Sequence, residues 1–347
     1  ECDIVITSYG SLTRDIENYP DFMFKLAVAD EASCLKNPQT QVAKTMSMIS
    51  ARSRIALSGT PMENSVQDIW SIMNFTNPGY LETKDNFISR YGTGSADQMK
   101  GLHKRIAPFM LRRTKTEVAH ELPTKIEKVI YCELNSEQRR YYEQLMNFRL
   151  NNFKNISNSL IDSDQRLEVL LLVLRLRQVC CDVRLLSTGS ADKSHLHNAT
   201  ENQSSAPSAS LNDKAEKDSE ATSMLSTKLV ALDRLLKGVI KGGGKVLVFS
   251  QFVSMLQLIR EHLDLVGYNY CYLDGSQSPV QRNQQVEAFQ SEDNNIPIFL
   301  MSLKAGGYGL TLTQADTVVH FDPWWNPAVE AQATDRAHRI GQQKTVT

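Results

Sequence analysis

The sequence has no long apolar run. None of its stretches approaches the roughly 18 to 20 apolar residues that cross a bilayer, and the opening ECDIVITSYG offers neither the basic nor the apolar segment of a secretory leader. No membrane partner is expected. Charge of one sign is also missing: 38 Lys and Arg stand against 39 Asp and Glu, a formal net charge of −1. That balance excludes a histone-like grip on nucleic acid by bulk charge, so any polyanion site must be a local patch. Six cysteines, Cys2, Cys34, Cys132, Cys180, Cys181 and Cys271, form no CxxC pair and no metal-ligand spacing. They do not resemble a disulfide framework, and a reducing compartment is the simple reading. Nor does any segment match the phosphate-cradling pattern GxxxxGK[ST].

What is present is a chain of 347 residues, 41% hydrophobic, enough for two globular units at ~150 residues each. It starts at Glu1 with Ile4 to Ile6 reading as a buried strand, so it is expected to open inside a domain, as a fragment. Up to about residue 131, short apolar runs alternate with helical stretches. Ile4 to Ile6, Leu26 to Ala29, Arg54 to Leu57 and Val129 to Cys132 fit strands buried on both faces of a parallel sheet. Between them, Val66, Ile69, Trp70 and Met73 recur at helical spacing, opening a helical excursion from about residue 62. Asn135 with Gln138 three residues on is an N-cap signal for a further helix, and a second helical run covers Arg166 to Leu176. Residues 187–225 change character: up to 223 only Leu196 and Leu211 are large and apolar, with no Phe, Tyr or Trp, and a disordered linker or loop is expected.

From about Ser226 strands and helices alternate: strand Lys245 to Phe249, helix Val253 to Leu265, strand Asn269 to Leu273, helix Val280 to Phe289, then strands Ile296 to Met301 and Thr317 to Phe321. This is an α/β pattern, implying a doubly wound parallel sheet with ligands beyond the carboxyl ends of the strands. The chemistry is therefore sought in the loops after strands. Asp30 and Glu31 emerge from the strand LAVA; there a carboxylate can hold Mg²⁺, usually through water, while its neighbour orients and deprotonates an attacking water. Two solvated carboxylates are the plain alternative. Ser58 and Thr60 sit on the turn SGTP, whose hydroxyls suit the sensing of a carboxylate or phosphate, although such a segment is more often just a turn.

In the second half, Ser302 and Lys304 lead into Gly306, Gly307 and Gly309, a turn whose backbone can approach a phosphate closely. Ser250, Gln251 and Asp274 also follow strands on what should be the same edge. The last block, His320 to Gly341, places Asn326 as a cap and Pro327 at a helix start. The spacing predicts a helix that carries Gln332, Arg336 and Arg339 on one face. Two arginines projected together can stabilise charge on a transferring phosphoryl group; surface arginines paired with Asp335 and Glu330 are the bland alternative.

The segments DEAS, SGTP, VFSQF, SLKAGGYGLTLTQAD and DPWWNPAVEAQATDRAHRIGQ occur in that order. Together they closely resemble the SWI/SNF-type DNA translocases of helicase superfamily 2, over nearly the whole chain apart from 187–223. The resemblance implies two RecA-like parallel-sheet lobes with helical protrusions, the first lobe incomplete. Its layout would be the C-terminal part of lobe 1 over 1–131, a helical protrusion or lobe connection over 132–186, the linker over 187–225, and lobe 2 over 226–347. It implies ATP and Mg²⁺ as cofactors, double-stranded DNA as partner and DNA-bound proteins as remodelling targets. Position by position, Asp30 would take the metal and Glu31 the water, Ser58 and Thr60 would couple, and Gly307 and Gly309 would bind nucleotide. Gln332, Arg336 and Arg339 would reach the triphosphate from lobe 2. Thr7, Tyr9, Ser250, Gln251, Ser302, Lys304, Trp324 and Trp325 would line or buttress the DNA, the tryptophan pair having the packing of a lobe edge as its equal alternative. The basic run Gln98 to Thr116, with Lys100, Lys104, Arg105, Arg112, Arg113 and Lys115, would touch phosphates or be simply solvated.

Two departures from the pattern bear on function. Ser33 stands where the family usually has His or Gln, which implies weaker coupling of hydrolysis to DNA. The phosphate loop that precedes DEAS in the family is not in this chain, so it is expected upstream of Glu1. The expected function is thus an ATP-dependent translocase or remodeller on duplex DNA; the rival is a catalytically incomplete binding module that keeps a DNA groove or recruits partners. An RNA-directed helicase is a third possibility, disfavoured by the tryptophan block and the long helical stretch. The compact spacing of the motifs favours a bacterial cytoplasm over a nucleus.

Overall fold

The computed structural model describes residues 3–19, 22–62, 65–153, 163–186, 226–291, 294–305 and 309–347. Residue 187–225, where the linker is expected, and Gly307 lie outside them. The chain divides into two compact units, Glu1–Val118 and Ala119–Thr347.

In the first unit, helix α1 (Tyr9–Asp15) precedes strand β1 (Phe24–Ala29), and helix α2 (Gln41–Met48) carries the chain to strand β2 (Ala51–Ala56). The strands run parallel, with Phe24 opposite Ala51 and Ala29 opposite Ala56. Ala29, Ala32, Leu35, Met46 and Phe75 gather with Leu12 of α1 on one face. The other face is open: Leu26, Val28 and Ile55 are 47%, 52% and 45% exposed, so these strands are not buried on both sides as the sequence suggested. Helices α3 (Gln67–Thr76), α4 (Lys84–Tyr91) and α5 (Ala96–Ile106) form the expected helical excursion. They enclose a cluster of their own from Met73, Leu81, Phe87, Tyr91, Leu102 and Ile106, and the short helix α6 (Lys115–Val118) closes the unit.

Two expected strands do not form. Ile4 to Ile6 is irregular, with Ile6 92% exposed. Apolar side chains make a strand only where a neighbouring backbone pairs with it, and no described segment does; Ser8 then caps α1, its hydroxyl accepting from Ser11 N at 3.1 Å. Val129 to Cys132 is likewise unpaired, and Tyr131 is 91% exposed. The chain is held slightly earlier, where Lys125 bridges Val346 and Ile126 N donates to Val346 O at 2.8 Å.

In the second unit the predicted cap is in place: Asn135 Oδ1 accepts from Gln138 N at 2.8 Å and opens helix α7 (Ser136–Phe153). The buried Gln138 amide donates to Val179 O at 2.8 Å, tying α7 to helix α8 (Ser163–Cys181). Helix α9 (Thr227–Lys241) then leads into the alternating block: strand β3 (Val246–Ser250), helix α10 (Val253–Val266), strand β4 (Tyr270–Leu273), helix α11 (Pro279–Gln290), strand β5 (Ile298–Ser302), strand β6 (Thr317–His320) and helix α12 (Pro327–Thr334). The strands are parallel in the order β4-β5-β3-β6. Because successive side chains point to opposite faces, the unbroken apolar runs of β3 and β5 feed two cores. Val246, Val248, Ile298 and Leu300 pack under α9 and α10 with Leu236 and Ile259. Leu247, Phe249, Phe299 and Met301 pack with Phe289 of α11 and Ala333 of α12. This doubly wound α/β sheet is the architecture expected from the sequence.

Candidate active site

The two motifs of the first unit are joined by backbone. The β1–β2 ladder continues past the strands, Leu57 N donating to Ala29 O and Ala32 N to Leu57 O, both at 2.8 Å. Asp30 and Glu31 are thereby fixed beside Leu57, Ser58 and Gly59, and these residues with Leu111 line one cavity of about 390 Å³. Both carboxylates are exposed. Asp30 Oδ1 accepts from Glu31 N at 2.9 Å, and Glu31 holds the left-handed conformation, φ 48° and ψ 51°. A non-glycine residue there carries strain on the order of 1 kcal/mol, a frequent mark of a functional turn. Behind the turn, Tyr9 Oη donates to Asp30 O at 2.6 Å. Burial, then the contact with Cys34 and the nearby acids, pushes the Tyr9 hydroxyl well above its ordinary range, so it remains a donor. Ser58 Oγ accepts from Thr60 N at 3.1 Å, and Lys36 Nζ donates to Thr60 Oγ1 at 3.4 Å. Thr7 is exposed, just before α1.

In the second unit the carboxyl ends of β3, β5 and β6 are laced together, Leu303 N donating to Ser250 O and Phe321 N to Phe249 O, both at 2.9 Å. Asp322, 4% exposed, accepts from Ser250 Oγ and Gln251 N, each at 3.0 Å. Burial raises the Asp322 carboxyl to about 6 against the opposing pull of those two bonds and of Lys228 and Arg177. Ser302 Oγ accepts from Ala305 N at 3.2 Å. Ser250 and Ser302 are buried and shape the loop, whereas Gln251 is half-buried and Lys304 exposed. Gly309 has φ 45°, a conformation that favours glycine.

Arg177 organises the aromatic block. Its guanidinium lies 4.6 Å from the Trp325 ring centre, 5.5 Å from Trp324 and 6.0 Å from Phe252, and it donates to Pro323 O. Trp324 is half-buried against the core and Trp325 is 64% exposed. Asn326 caps α12 as expected, Oδ1 accepting from Ala328 N at 3.0 Å. The predicted single face of Gln332, Arg336 and Arg339 does not form, because α12 stops at Thr334. Thr334 O takes both Ala337 N and His338 N, and Arg336 O turns away to Leu312 N at 2.8 Å. Arg336 is 7% exposed, Arg339 is exposed, and Gln332 is half-buried on the helix. Lys36, Arg177 and Asp322 escaped sequence reasoning. Asp322 alone left a signal, an acid directly after a strand.

Among the described residues no group of three or more His, Cys, Asp or Glu is placed to hold a metal. Asp30 with Glu31 still fits Mg²⁺, a hard cation that keeps several waters and takes one or two carboxylates plus substrate phosphates.

The chain matches two family models, the SNF2-related domain over residues 1–185 and the helicase conserved C-terminal domain over residues 227–341. It is 34% identical over 345 residues to an uncharacterized ATP-dependent helicase of Mycoplasma pneumoniae, covering 99% of this chain and 30% of that protein. It is 32% identical over 350 residues to the human SWI/SNF-related matrix-associated actin-dependent regulator of chromatin subfamily A member 1, covering 100% of this chain and 31% of that protein. Among solved structures, the Sulfolobus solfataricus SWI2/SNF2 ATPase core in complex with dsDNA is 31% identical, covering 97% of this chain and 65% of that one, with a TM-score of 0.48. The chain therefore spans about a third of the length of these curated relatives. With more than half of its residues inside the SNF2-related model and most of the remainder inside the helicase C-terminal one, the chain belongs to the SNF2 family of helicase-type proteins.

Proposed function

We propose that the protein carrying this chain is a DNA-stimulated ATPase that translocates on duplex DNA and displaces or remodels proteins bound there. The observation that carries this is the joining of the acid turn and the SGTP turn around one cavity by two backbone hydrogen bonds, so that Asp30, Glu31 and Ser58 face the same space. Relatives named as an ATP-dependent helicase and as a regulator of chromatin support it.

In this reading Asp30 would hold, partly through water, Mg²⁺, which when bound would supply charge neutralisation for the triphosphate. Glu31 orients the attacking water and accepts its proton. Ser58 and Thr60 report the state of the acid turn, Gly307 and Gly309 bind nucleotide, and Gln332, Arg336 and Arg339 stabilise charge on the transferring phosphoryl group. Thr7, Gln251, Lys304 and Trp325 face DNA, while Tyr9, Ser250, Ser302 and Trp324 hold those groups from behind. Phosphate contacts carry no base information, so binding is sequence-independent.

ATP turnover of the full-length protein with and without duplex DNA is the test. Glu31→Gln should lower DNA-stimulated turnover by at least about 100-fold, the range of a lost general base. DNA binding without any turnover would establish the non-catalytic module instead, and stimulation by RNA with strand separation would establish an RNA helicase.

A further inference from the structure

The geometry points to Lys36 as the residue that couples the acid turn to the SGTP turn, a positioning residue for the reaction proposed above, on which this inference rests. The position after Asp-Glu-Ala carries Ser33, and its hydroxyl is spent locally, donating to Glu31 O at 3.4 Å. No side chain of Ser33 therefore spans to the second turn. Lys36 does. It ends the 3-10 helix Ala32–Leu35, its N–H bonded to Ser33 O at 3.3 Å. That helix is anchored from α3, where the buried Ser71 hydroxyl donates to Leu35 O at 2.5 Å. From this fixed root the half-buried Lys36 ammonium reaches Thr60 Oγ1 at 3.4 Å.

An ammonium group only donates, so Thr60 must accept. Thr60 N in turn donates to Ser58 Oγ at 3.1 Å, and Ser58 shares the cavity wall with Asp30 and Glu31. Beside the two backbone bonds that join the turns, a side-chain path from the acid turn to the SGTP turn and back to the cavity thus includes a charged hydrogen bond. A shift of either turn lengthens that bond, and a half-buried charge makes the lengthening costly. Lys36 is not among the residues that line the cavity, so its effect is on the placement of Ser58 and Thr60.

Steady-state ATP turnover of the full-length protein at saturating duplex DNA tests this with Lys36→Met, Lys36→Arg, Thr60→Val and the double variant Lys36→Met/Thr60→Val. Lys36→Met should lower kcat about three- to tenfold, with KM for ATP changed less than about twofold, the signature of an interaction lost in the transition state. Lys36→Arg should retain most of the rate. The double variant should be no slower than the slower single one, as expected of two ends of one contact. If Lys36→Met unfolds early, Thr60→Val against Thr60→Ser carries the comparison, since the second keeps the accepting hydroxyl. An unchanged kcat in Lys36→Met, a loss confined to KM, or additive losses in the double variant would overturn the role of Lys36. A wild-type protein silent with and without DNA would instead overturn the ATPase reading and remove this inference with it.

Discussion

Asp322 shows how a single side chain can hold a loop together at a cost. Its two oxygens take the Ser250 hydroxyl and the Gln251 N–H, so the end of β3 and the start of the aromatic block move as one. The charge needed for that is buried, which lifts the carboxyl from its ordinary value to about 6, with Lys228 and Arg177 only partly offsetting the burial. A folded-state pKa above the unfolded one means that the native state binds the extra proton: the stabilising effect of protonation is complete below about pH 4 and is lost as pH rises through about 6. Asp322→Asn removes this titration. Urea unfolding of both proteins at pH 4.5 and pH 7 should show the variant gaining on the wild type by about 1 to 3 kcal/mol at the higher pH. An unchanged difference between the two pH values would mean that Asp322 does not titrate there. Asp30 and Glu31 are legible at the end of a strand, because an acid pair after LAVA stands out. Lys36 and Arg177 are not legible, because their partners lie 24 and 146 residues away, a separation that no local pattern encodes.

Among elements, α8 is linked to the aromatic block through Arg177, whose flat guanidinium can lie on the Trp325 ring and still donate to Pro323 O. Arg177→Ala should destabilise the second unit by about 1 to 2 kcal/mol and alter the emission of Trp324 and Trp325. Arg177→Lys should fall between, since an ammonium keeps the charge but not the stacking plane. Unfolding followed by tryptophan fluorescence measures both, and a stability unchanged in Arg177→Ala would remove this link from the fold's support. The same scale separates what was legible in the chain from what was not. The unbroken apolar runs of β3 and β5 read as buried strands and are buried, and Asn135 and Asn326 announced the helices they cap. Ile4 to Ile6 and Val129 to Cys132 carry the same composition, but a strand also needs a partner backbone, which composition does not record. The i, i+4 spacing of Gln332 and Arg336 likewise presumes a helix that continues. Local bonds of Ala337 N and His338 N to Thr334 O and the tertiary bond of Leu312 N to Arg336 O end it instead.

At the scale of the whole molecule, the two units differ in how completely they enclose their sheets. In the second, every side chain of β3 and β5 is buried, and the two faces are covered by α9 and α10 on one side and by α11 and α12 on the other. In the first, the described sheet has two strands, and Leu26, Val28, Ile55 and Leu57 remain roughly half exposed along one face. Burial of apolar area is the main stabilising contribution, at about 25 cal/mol per Å², so stability should be distributed unequally. Residues 119–347 produced alone should unfold cooperatively in calorimetry, with a midpoint close to that of the same transition in the 347-residue chain. Residues 1–118 alone should melt broadly and bind a hydrophobic dye, because a sheet with one bare apolar face cannot offset the ordering entropy of so short a chain. A sharp, dye-silent transition in the 1–118 piece would show that the cluster of α3, α4 and α5 suffices to hold it. The two-sided burial of the second sheet would then no longer be what separates the units.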